Sequence, residues 1–169
     1  MFFVRSREQI VCPCCRRDLK VIGSRKRKYI NETGEKNVLR IRRLKCYYCD
    51  RLHHELPDIL VPYKRYDSSS IEAVIIGDKS MSVSVDESTI HRWKTWFKNL
   101  LWYIIGCLKS ISLQNGKKCV DDKSFHSPSL LHRIWQYVGN ANGWLARVVR
   151  PIANNNFWTH TRSACLSRN

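Results

Sequence analysis

The run Cys12-Pro13-Cys14-Cys15 and its echo Cys46-Tyr47-Tyr48-Cys49 decide how this sequence is read. Each contains two thiols separated by two residues, so one tight turn can aim both sulfurs at a single ion. Two such turns supply four sulfurs, the tetrahedral set that suits Zn²⁺. Thirty residues lie between the pairs, more than the roughly 15–20 of the commonest spacing. The insert must therefore bring its own ends together, and it reads as a β-hairpin. Val21, Ile22, Tyr29 and Ile30 enrich one arm; Val38, Leu39, Ile41 and Leu44 enrich the other. Between them, Asn31-Glu32-Thr33-Gly34-Glu35-Lys36 is turn chemistry, with Gly34 free to take positive φ.

A hairpin over residues 20–45 sets Cys15 beside Cys46. Cys12, Cys15, Cys46 and Cys49 are then the expected ligands of one structural Zn²⁺ ion in a zinc-ribbon unit. Cys14 can take the place of Cys12, and His53 and His54 stand close enough after Cys49 to compete. A thioredoxin-like redox pair needs a βαβ context that the sequence lacks. Disulfides need an oxidising compartment, and nothing here directs export. Four thiolates with no open position hold structure and do not activate water, so the metal argues for a binding module. Cys107, Cys119 and Cys165 are isolated and read as ordinary small apolar residues.

Charge gives the second line of argument. The 169 residues carry 30 Lys plus Arg against 14 Asp plus Glu, a formal net charge of +16. Residues 1–66 hold 17 cations and 7 acids (net +10), residues 67–124 hold 8 and 7 (net +1), and residues 125–169 hold 5 and none. Solubility alone asks for a net charge of roughly 2–8 in a small domain. The excess therefore points to a polyanionic partner and away from a near-neutral metabolic enzyme. The longest apolar stretch, Leu100 to Leu108, is about half the length a spanning helix needs. Met-Phe-Phe-Val is followed at once by Arg5, the reverse of the charge order in a signal peptide. A cytoplasmic protein with no membrane partner is expected.

Within the hairpin, Arg25, Lys26, Arg27 and Lys28 sit midway along the first arm, and Arg40, Arg42 and Arg43 line the second. Alternation puts Arg25 and Arg27 on one face, Lys26 and Lys28 on the other, and pairs Arg40 with Arg42. Such a ribbon can lie along a duplex backbone or enter a major groove. The competing reading is a charged edge that protects a small sheet from aggregation.

Two prolines make residues 56–66 an extended connector. Asp67 and the serines after it cap a short helix over Ile71–Ile76 that Gly77 ends. After Asp86 or Glu87, apolar residues recur at three and four from Ile90 to Leu108, a helix of four to five turns. Its opposite face near the start carries Ser88, Thr89, His91, Arg92 and Thr95, short polar and cationic side chains suited to base edges. The competing reading is a core helix with a wet face. Residues 109–127 read as loop with a turn at Asn115-Gly116. A helix that Ser127-Pro128-Ser129 starts and Gly139 ends follows, then a short one from Gly143 that Pro151 stops. The polar and aromatic tail from Asn154 through Phe157 and Trp158 either stacks on bases or docks on the core.

The knuckles, the basic hairpin, the run RRLKCYYCDRLHHELPDILVPYKRYDSSSIEAVI (residues 42–75) and DESTIHRWKTWF (residues 86–97) together resemble a poorly characterised bacterial zinc-ribbon protein family associated with mobile elements. The arrangement is similar to the N-terminal DNA-binding part of insertion-sequence transposases, where a zinc ribbon precedes a helix-turn-helix. The resemblance covers most of the chain, and LPDILVPYKRY (residues 56–66) is its most specific run. It implies double-stranded DNA as partner and a role in recognising element ends or controlling transcription. In such transposases an acidic catalytic domain follows, whereas residues 109–169 hold only Asp121 and Asp122 as acids.

No P-loop, dinucleotide turn, HExxH or G-x-S-x-G occurs in the sequence. The expectation is a non-enzymatic α+β protein in three segments. These are a zinc-ribbon domain with its basic hairpin (1–66), a helix-turn-helix-like unit (67–112), and a loop with short helices and a basic tail (113–169). An RNA-binding or ribosome-associated protein is the alternative, as is an adaptor for a transposase or polymerase.

Overall fold

The computed structural model describes residues 2–6, 9–78, 84–116, 129–158 and 164–167. An N-terminal sheet is followed by helices, an α+β fold as the sequence pattern predicts. The hairpin consists of β2 (Lys20–Ile30) and β3 (Lys36–Lys45), antiparallel from Lys20↔Lys45 to Ile30↔Lys36. Gly34 turns it at φ 85°, and the Asn31 side chain accepts from the Glu35 N–H at 2.8 Å.

The sheet is wider than the hairpin alone. β1 (Phe2–Phe3) and β4 (Leu52–Pro57) both pair with β3 on the side away from β2, and β5 (Ala164–Ser167) adds in parallel to β4. Residues 56–66 are thus less extended than two prolines suggest. Pro57 ends β4, and turns with isolated bridges Leu60↔Asp67 and Ile30↔Tyr66 lead to the helices.

Helix α1 (Ser68–Ile76) starts under an Asp67 cap and stops at Gly77, φ 73°. Helix α2 runs from Glu87 to Gln114, 28 residues, well past the four to five turns that the apolar stripe predicts. Lys109–Gln114 extend the helix where polarity suggests loop, because Ile111 still reaches the core. Asp86 caps α2 by accepting from the Thr89 N–H at 2.8 Å, and Asn115 ends it. Hydrogen bonds from Ser88 and Thr89 hold the Asp86 carboxyl down to about 2. Its folded value lies below the ordinary one, so this contribution is present above the usual carboxylate range and is lost only as pH falls through about 2.

Helix α3 (Leu130–Val138) keeps the expected Ser129 and Gly139 boundaries. Helix α4 (Trp144–Asn154) passes through Pro151 instead of stopping there. A proline this close to the end removes one helical hydrogen bond, and buried Ile152 and Ala153 beyond it keep the last turn packed. Residues 79–83, most of the 109–127 stretch and the tail beyond Trp158 up to β5 lie outside the described residues. Within the tail, Trp158 is buried and packs near Trp96, the docked alternative of the two.

One apolar cluster joins the three segments. Leu39, Ile41 and Leu56 of the sheet meet Trp93, Phe97 and Ile104 of α2 and Trp144, Leu145 and Val148 of α4. Polar pins hold the layers in register. Asp58, just after β4, accepts from Arg150 of α4 at 2.9 Å. Arg147 fans onto the carbonyls of Val138, Ala141 and Asn142 at 2.6–2.9 Å, tying the α3–α4 turn to α4.

The start of α4 has no capping side chain of its own. Buried Glu72 of α1 takes that place from across the fold, accepting from the N–H groups of Gly143 at 2.9 Å and Leu145 at 2.5 Å. Two helix-terminal donors thereby gain a carboxylate at the positive end of the helix. Glu72→Ala is expected to lower unfolding free energy by about 1–3 kcal/mol, with Glu72→Gln losing less. Urea titrations of both variants check this, and equal stability with the native chain would refute the capping role.

Candidate metal centre and basic surface

The two cysteine runs fold into matching knuckles. Cys12 N–H donates to the Arg17 carbonyl at 2.8 Å, and Cys46 N–H to the Arg51 carbonyl at 2.9 Å. The residue after the last cysteine of each run, Arg16 or Asp50, takes a left-handed φ of 62° or 55°. The same chain reversal is thus built twice, from unlike residues. β2 and β3 hold the knuckles face to face.

The sulfurs of Cys12, Cys15, Cys46 and Cys49 all lie within 4.8 Å of one another. Cys12 to Cys49 is 3.6 Å and Cys15 to Cys46 is 3.5 Å, too long for a disulfide of about 2.05 Å. Four sulfurs at about 2.3 Å from a tetrahedral ion stand about 3.8 Å apart, so the cluster fits such an ion. Cys12 and Cys46 are fully buried. Backbone N–H donors from Cys49 and Tyr48 help bring the Cys46 thiol down to about 7, while burial pushes Cys12 and Cys49 up. A bound cation would supply the charge that makes the remaining sulfurs thiolates.

Alternation settles how the two histidines differ. His53 and His54 are consecutive on β4 and point to opposite faces of the sheet. His53 is wholly buried, with Nε2 3.3 Å from the Cys12 sulfur. Desolvation, then Arg51, depresses its basicity, which favours the neutral ring beside the Cys12 sulfur. His53 also forms a second, three-member group with Cys12 and Cys14. Cys14 itself accepts from the Arg51 guanidinium at 3.3 Å. His54 lies on the other face and belongs to neither group.

The hairpin cations divide. Register puts Lys26 opposite Arg40 and Lys28 opposite Val38 on the outer face, while Arg25 and Arg27 stand opposite buried Ile41 and Leu39. Arg25, Lys26, Lys28 and Arg40 are exposed, and Arg43 is half-buried. Two expected phosphate contacts are already engaged. Arg42 pairs with buried Glu55 across β3 and β4, its Nη2 at 2.8 Å. Arg27 is half-buried and donates to the Lys64 carbonyl at 2.7 Å.

On α2, Thr89 corrects the expected base-reading face. Its side chain is buried and bonds the Asp86 carboxylate at 3.0 Å, because its hydroxyl belongs to the helix cap. Arg92 is drawn into the same network, donating to the Thr89 hydroxyl at 2.7 Å. Ser88, His91 and Thr95 are exposed. Ten residues, 77–86, separate α1 from α2, against the 3–4 of an ordinary helix-turn-helix turn.

Around the hairpin the structure gathers cations that the sequence reading left out. A concavity of about 350 Å³ is lined by Arg25, Lys26, Arg27, Lys28, Tyr29, Ile30, Lys36 and Arg65, without a carboxylate. Arg65 arrives because Ile30 N–H donates to its carbonyl at 2.8 Å. Lys64 lies over the Trp96 ring at 3.9 Å and carries the patch to the side of α2. The crowding has an electrostatic signature. Burial, then Arg25 and Arg65, lowers the Arg27 pKa; burial, then Arg25, Arg43 and Arg27, lowers that of His54; burial, then Arg92, lowers that of Lys64. The adjacent Lys64-Arg65 was the available sequence signal, hidden by reading residues 56–66 as mere connector.

Residues 12–93 match the family described as Domain of unknown function (DUF6431). The match begins at Cys12 and ends at Trp93 in α2, so it takes in both knuckles, the hairpin and α1, and crosses residue 66. No curated protein and no solved structure matches the chain. Among the described residues, no helix is long and apolar enough to cross a membrane.

Proposed function

We propose that this protein is a zinc-stabilised binder of double-stranded DNA, acting in the cytoplasm. The carboxylate-free basic concavity on the hairpin carries the reading. Cations gathered without a carboxylate favour an anion that balances their charge, and a phosphate backbone supplies such anions at regular spacing. The metal would be Zn²⁺ on Cys12, Cys15, Cys46 and Cys49, holding closed the end of the ribbon that Lys20 and Lys45 begin and finish. In that frame Arg25, Lys26, Lys28 and Arg40 clamp phosphate, with Arg65 and Lys36 beside them. Ser88, His91, Arg92 and Thr95 at the start of α2 are the candidate base readers, Arg92 once its local bonds open. Connection with a mobile element, through its ends, its promoter, or a transposase or polymerase partner, rests on the sequence resemblance.

The test is anisotropy of a labelled duplex with zinc-loaded protein over a range of salt. Each phosphate contact contributes about 0.9 to the log–log slope. Replacing Arg25, Lys26, Lys28 and Arg40 with Gln is therefore expected to flatten the slope by about 3–4 and weaken all duplex sequences alike. An unchanged slope would return this patch to a solvated sheet edge. Stronger binding of structured RNA than of duplex DNA would favour the RNA-binding alternative.

A further inference from the structure

Tyr47 and Tyr48, the two residues inside the second cysteine pair, are 64% and 72% exposed. Two large aromatic rings this open stand side by side on the knuckle. The Cys46 N–H to Arg51 carbonyl bond at 2.9 Å closes the turn beneath them. Cations hold the rings in place: Arg17 lies 4.9 Å over Tyr48, and Lys20 and Lys45 each lie 5.5 Å over Tyr47. Lys20 and Lys45 are cross-strand partners, so both approach Tyr47 from the ribbon side, and Lys45 is steadied by Asp50 at 2.8 Å.

We propose that Tyr47 and Tyr48 form a stacking platform for unpaired DNA bases at the end of a duplex held by the hairpin. The proposal rests on the duplex-binding reading above and deepens it. Inside a duplex both faces of every base are covered by neighbours, so an exposed ring can stack only on a terminal or unpaired base. Arg17 over Tyr48 and Lys20 over Tyr47 add the positive charge that would meet the accompanying phosphates. From Lys26 to Lys20 the chain covers six residues of strand, about 20 Å. A backbone that follows the basic ribbon from Lys26 and Arg40 therefore reaches the tyrosines at its knuckle end.

Anisotropy of the zinc-loaded full chain tests this with four probes: a blunt duplex, the same duplex with a single-stranded DNA extension, with an abasic extension, and with an RNA extension. The DNA extension is expected to tighten binding about tenfold or more, and the abasic extension to add little. Tyr47→Ala with Tyr48→Ala should erase the gain while leaving blunt-duplex affinity and zinc content unchanged; Tyr47→Phe with Tyr48→Phe should retain it. An equal gain from the abasic extension, or a gain that survives the alanine pair, would overturn the platform. A gain confined to the RNA extension would overturn the DNA assignment. Binding to the blunt duplex with no gain from any extension removes the platform alone. Failure to bind any probe removes the duplex-binding reading together with it.

Discussion

Cys49→Ser protein, purified under reducing conditions, is expected to hold no zinc, where the native chain is expected to hold one ion. In small metallo-domains the binding free energy is also folding free energy, about 10–16 kcal/mol in zinc-finger peptides. Whole domains are stable by only about 5–15 kcal/mol, so the N-terminal sheet should not survive the loss intact. A deficit of about 5 kcal/mol corresponds to a fall in Tm of about 10–20 °C at this chain length. Strand signals should go first, because the knuckles tie β2 and β3 together at the end opposite the Gly34 turn. Cys14→Ser is the control. Its sulfur belongs to the group with Cys12 and His53 and is outside the four-sulfur set, so the ion should remain. Elemental analysis with thermal melts decides it. Zinc retained in Cys49→Ser but lost in Cys14→Ser would assign the ion to the other group.

Glu55→Ala is expected to be the most damaging substitution away from the cysteines. Glu55 is fully buried; it accepts from the Ser6 N–H at 2.7 Å and pairs with both Nε and Nη2 of Arg42. The side chain of Arg42 is only 17% exposed, and the carboxylate raises its already high pKa further. Removing one partner of such a pair leaves a desolvated charge and costs about 3–5 kcal/mol. The N-terminal residues 2–6 should loosen as well, since the Ser6 N–H loses the Glu55 acceptor. Replacing both members, Glu55→Leu with Arg42→Met, should recover much of the loss. Urea unfolding of the single and double variants checks the coupling, and additive effects would mean that the two side chains do not act as a pair.

That pair also explains why charge alone misreads the hairpin. Arg42 and Arg40 are two apart and share a face, and nothing local separates them. Arg42 is drawn into the sheet because β4 sets Glu55 opposite it, and no local pattern marks β4. Leu52–Pro57 carries two histidines and a glutamate, so its composition does not mark it as a buried strand. Thr89 fails for a similar reason. Its position on the helical wheel is polar, yet its hydroxyl is taken by Asp86, one turn earlier.

The sequence by itself determined the local structure. The spacing of Cys12, Cys15, Cys46 and Cys49, the hairpin and its Gly34 turn, the caps at Asp67, Asp86 and Ser129, and the stops at Gly77 and Gly139 are all written in neighbouring residues. Each depends on backbone geometry that a few side chains dictate. Only the tertiary structure decided which polar groups are spent internally. Arg42 meets Glu55, Arg150 meets Asp58, and Glu72 caps a helix 71 residues away. It also decided that Arg65 joins Arg25 and Lys36 around one concavity and that Tyr47 and Tyr48 remain uncovered. These pairings depend on distances between segments that are remote in the chain. Periodicity and spacing carry no such distances, because they report which face a residue occupies and not what the fold brings to it.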